Sequence, residues 1–141
     1  GDYLEQSSKV QAACPWYPPT DTSKFQYQEA EQCAASPESL LLGFNVMKNP
    51  EKGYENSPVS KVTKEAPPFL IIHGTNDRTV PFSQSESLYE SLEKNGCDVT
   101  FLALEGADHA DLQFFQDEVW ERMIAFFKEK LTRICEENIK S

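Results

Sequence analysis

Hydrophobic and polar residues fall into blocks along the chain whose lengths predict a mixed α/β fold. The run FLII at 69–72 is short and unbroken, with prolines before it and a charged turn after it. Such a run is typical of a strand that is covered on both faces, as in a parallel sheet. The segments KVQAAC at 9–14 and DVTFLAL at 98–104 predict two further strands. Three strands of one sheet are therefore expected.

The segment 83–96 has the pattern of a helix with both ends marked. It opens with SQSE, the spacing of a capping box. Leu88 and Leu92 follow one turn apart and form an apolar face. Asn95-Gly96 predicts the end of the helix.

A second, longer helix is predicted over residues 111–134, with Asp111 as its N-cap. The apolar residues of this segment recur at helical spacing and form one face: Leu112, Phe115, Val119, Met123, Phe126, Phe127, Leu131 and Ile134.

A long polar connection, residues 22–58, separates the first two predicted strands. One helix is predicted inside it, from the Ser36-Pro37-Glu38 start signal to Gly43. The remainder, rich in proline, glycine and asparagine, is expected to be irregular. A connection of this length in a compact domain is usually functional or a lid. The order strand, long loop, strand, helix, strand, helix predicts one α/β domain with parallel strands and right-handed crossovers.

Composition narrows the choice of partners. The chain has 141 residues, enough for one domain with one core. Its net charge of −10 disfavours nucleic acid and anionic membranes as partners. No apolar stretch approaches the ~20 residues of a membrane span. The N-terminal residues lack the pattern of a signal peptide, which leaves a signal peptide upstream of Gly1 open. A cytoplasmic location is expected.

The four cysteines, at 14, 33, 97 and 135, form no CxxC pair, and only two histidines are present. A zinc site is therefore not expected, and neither a metal nor an organic cofactor is implied. Free thiols in a reducing compartment are the expected state, although the spacing leaves a disulfide open.

Two successive predicted strands end in loops that each carry one residue suited to catalysis. Asp77 follows the strand at 69–72, and His109 follows the strand at 98–104. Because the carboxyl ends of parallel strands meet at one edge of a sheet, the two loops should be neighbours. A carboxylate beside an imidazole holds it in one tautomer, so that the histidine acts as a general base. Alone, Asp77 could cap its turn and His109 could be a surface histidine; together they favour a catalytic pair.

Neighbouring residues have blander interpretations. His73 is expected to be structural, packing or bonding to backbone near the turn, and Asp108 to be a solvated loop carboxylate rather than a modulator of His109. Trp16 and Tyr17 either line a substrate pocket or pack in the core, and the sequence leaves both open. Three further aromatic residues are expected to serve packing: Phe114, Phe115 and Trp120.

The stretch PPFLIIHGTNDRTVP, followed by a helix, a strand and GADHAD, resembles the C-terminal part of an α/β-hydrolase fold. It is similar to the esterase/lipase group that includes feruloyl- and acetyl-xylan-esterase-like enzymes and relatives of prolyl oligopeptidase. In that group the HGxxDxxVP pattern carries the acid and GxxH the base. By position, the resemblance implies that Asp77 is the acid and His109 the base. SSKVQAACPWYPPTD resembles the preceding strand region, with Pro18 where glycine is common.

The nucleophile expected in this fold is a serine in a GxSxG elbow. No two of the six glycines are four residues apart, so the chain has no such elbow. The resemblance therefore places the serine upstream of Gly1. It implies a serine carboxylesterase acting on small-molecule esters, to which this chain supplies acid and base without being active alone. The alternatives are a prolyl-oligopeptidase-like serine peptidase and a non-catalytic hydrolase-like binding domain. The first strand should also be an open edge, so that the chain on its own self-associates or needs the missing half of the domain.

Overall fold

The computed structural model describes residues 10–21, 40, 43, 45 and 47–140. The helix predicted over 36–43 lies outside the described residues, apart from Leu40 and Gly43. The described helices and strands are α1 (Pro50–Glu55), a 3₁₀ turn (Pro58–Lys61), β1 (Phe69–Gly74), α2 (Ser83–Lys94), β2 (Val99–Leu104), a 3₁₀ turn (Leu112–Phe115) and α3 (Asp117–Lys140).

The two strands β1 and β2 pair in parallel, with α2 between them along the chain, as the α/β prediction requires. Their register runs from Phe69 opposite Val99 to Gly74 opposite Leu104. Strand β1 is buried from Leu70 onward because both of its faces are covered. Leu70 and Ile72 face a cluster that includes residues of α3. Ile71 faces the other side and packs with two leucines of α2.

The first predicted strand is not a continuous strand among the described residues, and its contacts with β1 lie further along the chain than predicted. Ala13 and Trp16 form isolated parallel bridges with β1, and residues 10–12 pair with no strand, so the prediction of a strand at 9–14 is wrong in its bounds. The backbone of residues 13–17, here called the edge segment, bonds β1 through Ala13, Pro15 and Tyr17. Pro15 has no N–H to donate, so the ladder stays broken although its carbonyl accepts a bond from Ile72 at 3.0 Å.

Helix α1 was not expected, because its residues were assigned to an irregular connection. Its start nevertheless has a familiar signal, since Pro50 occupies the first turn directly after Asn49. The side chain of Asn49 makes no capping hydrogen bond. The prediction of a lid-like connection over 22–58 is not tested, because 22–39, 41, 42, 44 and 46 lie outside the described part of the chain.

Helix α2 has the predicted end but not the predicted start. Phe82 is its N-cap and no side chain caps it, so the expected capping box is wrong. At the other end, Gly96 (φ 73°) donates to Glu93 at 2.9 Å and Cys97 donates to Leu92 at 3.0 Å. These two bonds form a Schellman motif, which explains why Asn95-Gly96 ends the helix.

The long C-terminal helix begins six residues later than predicted. Asp111 caps the 3₁₀ turn Leu112–Phe115, accepting a bond from the Leu112 N–H, and the extended backbone of Gln116 separates this turn from α3. The break buries Phe114 completely and leaves Leu112 81% exposed. Further along α3, Lys130 binds Asp98 with an Nζ–Oδ2 distance of 2.8 Å and so ties the helix to the start of β2.

Cys14 and Cys97 are free thiols, and burial raises the pKa of Cys14. Cys33 and the side chain of Cys135 lie outside the described residues. Among the helices that the structure describes, none combines the length and the apolar character of a membrane span.

Candidate active site

Asp77 lies in the turn that follows β1, with a side chain that is 0% exposed. Its Oδ1 atom accepts hydrogen bonds from the N–H groups of Thr79 and Val80, both at 2.8 Å. The aspartate therefore does organise its own turn, as aspartates commonly do. Because this occupies one oxygen only, Oδ2 is held in a fixed direction and remains available to other side chains.

His109 lies in the loop after β2 and contacts that second oxygen. Its Nδ1 atom is 2.8 Å from Oδ2 of Asp77, and its side chain is 27% exposed. Since a carboxylate oxygen only accepts, Nδ1 carries the proton, and Nε2 of the neutral ring is the basic nitrogen. The structure thus brings together the two residues that the sequence proposed as a pair. The arrangement suits proton transfer at Nε2, with a buried carboxylate behind the ring.

The backbone beside His109 is strained. Ala110, the next residue, has a φ of 51°. Left-handed backbone is unfavourable for alanine and is kept only where surrounding contacts enforce it. One such contact is a backbone bond of 3.3 Å from Asp111 N to Asp108 O, which closes the turn around His109.

His73 is fully buried at the end of β1 and touches the same oxygen of Asp77 as His109 does. Its Nε2 atom lies 3.1 Å from Asp77 Oδ2 and 2.9 Å from the carbonyl oxygen of Val80. Both are acceptors, so Nε2 carries the proton, and Nδ1 accepts from the Ser85 hydroxyl at 2.6 Å. Desolvation by burial lowers the pKa of His73, which favours the neutral ring. These contacts agree with the structural role that the sequence predicts for His73. The sequence does not predict its hydrogen bond to Asp77.

Asp108 is a loop carboxylate with a side chain that is 28% exposed, as expected, but it also makes hydrogen bonds that the sequence did not indicate. Its oxygens accept from the backbone N–H groups of Arg78 and His109 and from the Arg78 guanidinium. These bonds, led by the one from the Arg78 N–H, lower the pKa of Asp108 from 3.8 to about 2. One carboxylate therefore connects the loop of Asp77 with the loop of His109.

Trp16 and Tyr17, for which the sequence allows either a pocket or a core position, have different surroundings in the structure. The ring of Tyr17 lies against His109, with 4.1 Å between ring centroids. Tyr17 also has a positive φ of 37°. Trp16 instead packs on Phe114 at 5.6 Å and on Trp120 at 5.8 Å. Tyr17 is therefore next to the candidate base, whereas Trp16 supports the aromatic layer beneath it.

A buried network that the sequence did not indicate fixes the turn after Tyr17. The Gln84 amide oxygen accepts from the N–H groups of Thr20 (2.9 Å) and Asp21 (2.7 Å), and its NH₂ group donates to the Asp21 carbonyl at 2.9 Å. Both residues of the turn are buried, at 1% and 0% exposure. The first turn of α2 thus holds the segment that carries Tyr17.

In the part of the chain that the structure describes, no three His, Cys, Asp or Glu side chains are grouped as a metal site would require.

Comparisons of the sequence with known proteins agree on one family. The model of the BD-FAE family matches residues 1–92, which include Asp77 and end before His109. Esterase LipC of Mycobacterium tuberculosis is 37% identical over 73 residues, which are 51% of this chain and 18% of LipC. Esterase LipQ of the same organism is 33% identical over 102 residues, which are 72% of this chain and 24% of LipQ.

Solved structures agree with the sequence comparisons. A "Truncated form of carbohydrate esterase from gut microbiota" superposes with a TM-score of 0.78 and 30% identity, over 94% of this chain and 46% of that chain. The chain thus spans less than half of that structure and about a fifth of the two curated relatives. The family match covers well over half of the chain, and these relatives are esterases. The chain belongs to the BD-FAE family and has the α/β organisation of the esterase-type α/β-hydrolases.

Proposed function

We propose that this chain supplies the catalytic acid, Asp77, and the catalytic base, His109, of a serine carboxylesterase. The observation that carries the proposal is the 2.8 Å contact between Asp77 Oδ2 and His109 Nδ1 at the ends of two adjacent parallel strands. The nucleophilic serine comes from a part of the protein outside these 141 residues. The chain alone is therefore inactive.

The proposed reaction follows from the proton positions. The serine hydroxyl attacks the ester carbonyl while Nε2 of His109 takes its proton. Asp77 stabilises the imidazolium that forms, and Nε2 then returns the proton to the leaving alcohol. A water molecule then attacks the acyl-enzyme in the same way: Nε2 of His109 takes its proton and returns it to the serine, which leaves. Backbone N–H groups elsewhere in the domain would stabilise the oxyanion.

The neutral state of His73 supports this mechanism. If His73 were charged, two cations would compete for Oδ2 of Asp77 once His109 is protonated. Burial lowers the pKa of His73, so Asp77 faces one neutral ring and one ring that becomes charged during the reaction. The Asp77 carboxylate can then stabilise the positive charge on His109 without competition from a second cation.

Ester rather than peptide substrates are supported by the relatives. Two of them are esterases, and a third, LipM of Mycobacterium tuberculosis, is described as a probable carboxylic ester hydrolase. The peptidase and the non-catalytic binding domain remain as outcomes of the test below.

The test is hydrolysis of p-nitrophenyl acetate by the full-length protein and by its His109→Ala variant. We expect the variant to lose roughly 10⁶-fold in kcat, as removal of a triad histidine does. Lys128→Ala, at an exposed position of α3, is the control and should be unchanged. A proline-containing p-nitroanilide tests the peptidase: faster cleavage of the anilide than of the ester would replace the esterase by that alternative. Equal activity of His109→Ala and the unaltered protein would remove His109 from catalysis. No hydrolysis of either substrate by the full-length protein would favour the non-catalytic binding domain.

We also propose that the chain on its own self-associates through the edge segment 13–17. Ala13, Pro15 and Tyr17 bond to β1, so the alternation of a strand directs the backbone groups of Cys14 and Trp16 away from it. An open strand edge pairs readily with another chain. Light scattering at micromolar concentration should give a mass above 16.0 kDa. A monodisperse monomer would contradict self-association.

A further inference from the structure

We propose that Asp108 is a positioning residue for the acid and base pair, fastening the loop of His109 to the loop of Asp77. This inference rests on the proposed esterase function. It concerns a residue that contacts no reacting atom and acts only through the geometry of its neighbours.

The backbone bonds of Asp108 lie at, or directly beside, the proposed acid and base. One oxygen of Asp108, Oδ1, accepts from the Arg78 N–H at 2.9 Å and from the His109 N–H at 2.7 Å. Arg78 directly follows the proposed acid, and His109 is the proposed base. A single oxygen atom therefore fixes the distance between the main chains at both residues.

Contacts to both of its oxygens orient the Asp108 carboxylate. The other oxygen, Oδ2, accepts from Nε of Arg78 at 2.7 Å and from an Nη atom of the same side chain at 2.5 Å. Both guanidinium donors converge on Oδ2, so the plane of the carboxylate is fixed by this contact together with the two backbone bonds to Oδ1. The Arg78 side chain is 80% exposed and that of Asp108 only 28%. Since exposed ion pairs contribute little, the backbone bonds of Asp108 are the stronger part of the link.

The link through Asp108 is separate from the bonds that hold the two loops together at their base. Thr75 N bonds Leu104 O at 3.0 Å, Asn76 N bonds Ala107 O at 3.0 Å, and Gly106 N bonds the Thr75 hydroxyl at 2.8 Å. These bonds precede Asp77 and His109 along their loops. Asp108 makes the connection at the tips, where the two reactive side chains are. Its removal should therefore loosen the tips while the loops stay attached to the sheet.

Such loosening reaches the chemistry through the strained turn. Ala110 keeps a φ of 51° beside His109. With the Asp108 bonds removed, the backbone of His109 is free to relax and the ring to move away from Asp77. Displacement of a catalytic group by about 1 Å can cost about 10²-fold in rate.

The experiment compares Asp108→Ala, Asp108→Asn and Arg78→Ala in the full-length protein, with Glu105→Gln as control. Glu105 is an exposed carboxylate of the same loop. We expect kcat to fall about 10²-fold in Asp108→Ala, with KM changed less than threefold. An asparagine side chain still offers an oxygen to both N–H groups but loses the guanidinium contact, so Asp108→Asn and Arg78→Ala should each lose about three- to tenfold. The control should be unchanged.

A second measurement does not depend on turnover. The proton between His109 Nδ1 and Asp77 gives a low-field NMR resonance, which should weaken or shift in Asp108→Ala and stay in place in Glu105→Gln. Reaction with a fluorophosphonate probe should slow in parallel with kcat, because the probe reports activation of the nucleophile. A residue with a purely structural role would lower the melting temperature without moving this resonance in the folded protein.

The outcomes distinguish the inference from the function on which it rests. If His109→Ala abolishes ester hydrolysis but Asp108→Ala keeps full kcat, Asp108 is not a positioning residue and the proposed function stands. If His109→Ala has no effect, the function fails, and the NMR resonance alone decides whether Asp108 positions the pair. Should Asp108→Ala fail to fold, the comparison of Asp108→Asn with Glu105→Gln decides, and equal kcat values would overturn the inference.

Discussion

His73 donates to the buried carboxylate of Asp77 over 3.1 Å, and through this bond a structural histidine and a candidate catalytic acid form one unit. The same ring nitrogen lies 2.9 Å from the Val80 carbonyl, and Val80 N bonds the other oxygen of Asp77 at 2.8 Å. The turn from 73 to 80 is thus closed through side chains on both sides of the carboxylate. The geometry of Asp77 depends on a residue that would not itself react.

Replacing His73 by phenylalanine keeps a ring in the core but removes both nitrogens. The variant then loses the hydrogen bonds of the His73 ring to the Ser85 hydroxyl, the Val80 carbonyl and the Asp77 carboxylate. We expect a loss of about 2–4 kcal/mol in the free energy of unfolding, measured by urea denaturation. Ser85→Ala, which removes one of these bonds, should cost about 1 kcal/mol. Equal stability of His73→Phe and the unaltered protein would show that the ring contributes by packing alone.

The lowered pKa of His73 gives a pH dependence with a defined sign. Burial holds the folded-state pKa below the ordinary value of 6.5, so the unfolded chain binds the proton more readily. The contribution of neutral His73 to stability is therefore fully present above pH 6.5 and is lost as the pH falls from 6.5 towards the lower folded-state pKa. Denaturation at a series of pH values should show this decline in the His109→Gln variant and not in His73→Phe. A parallel decline in both variants would assign it to other groups.

Asp77→Asn tests the acid with almost no change in volume. The amide oxygen can still accept from Thr79 and Val80, but the NH₂ group then faces the N–H groups of His73 and His109. His109 is driven to the wrong tautomer, and we expect kcat to fall about 10⁴-fold. Asn76→Asp, the reverse exchange at an exposed neighbouring position, is the matched control. An Asp77→Asn variant with more than a tenth of the activity would exclude Asp77 as the acid.

Much of this geometry could be anticipated from local pattern. The apolar run 69–72 and the alternation from strand to helix predicted parallel strands, and parallel strands bring their carboxyl ends to one edge. The neighbourhood of Asp77 and His109 follows from this topology alone. Gly96 marked the end of α2 for a local reason as well, since its backbone has a positive φ.

The parts that sequence did not predict depend on which distant partner a polar side chain finds. Gln84 and Ser85 fitted a helix start equally well, yet one bonds the turn at 20–21 and the other bonds His73. Asp108 lies in a polar segment that is typical of a solvated loop. Only the folded chain places it beside Arg78, thirty positions away in the sequence. The late start of α3 has the same origin, because burial of Phe114 outweighs the helical spacing that predicted an unbroken helix from Asp111.

Gly74, the last residue of β1, should not tolerate a side chain. A Cβ atom there would overlap the carbonyl oxygen of Ala107 and lie 2.7 Å from its carbonyl carbon. Both neighbours are backbone of the loop that leads to His109, so relief requires that loop to move. We expect Gly74→Ala to lower the melting temperature and to reduce kcat together. Gly96→Ala is the control: it has open space and a φ of 73°, so it should cost about 1 kcal/mol in stability and leave kcat unchanged.

Gln84 should matter far more than its neighbour Ser83, although both begin α2. Truncation to alanine leaves the N–H groups of Thr20 and Asp21 and the carbonyl of Asp21 buried without their partner in α2. Since each lost partner costs about 1 kcal/mol or more, we expect Gln84→Ala to lose about 3 kcal/mol in the free energy of unfolding. Ser83 is exposed and makes no capping bond, so Ser83→Ala should stay within about 0.5 kcal/mol. Because the turn at 20–21 follows Tyr17, whose ring lies against His109, Gln84→Ala should also raise KM if Tyr17 contacts the substrate. A cost equal to that of Ser83→Ala would show that the network adds nothing beyond the packing of the helix.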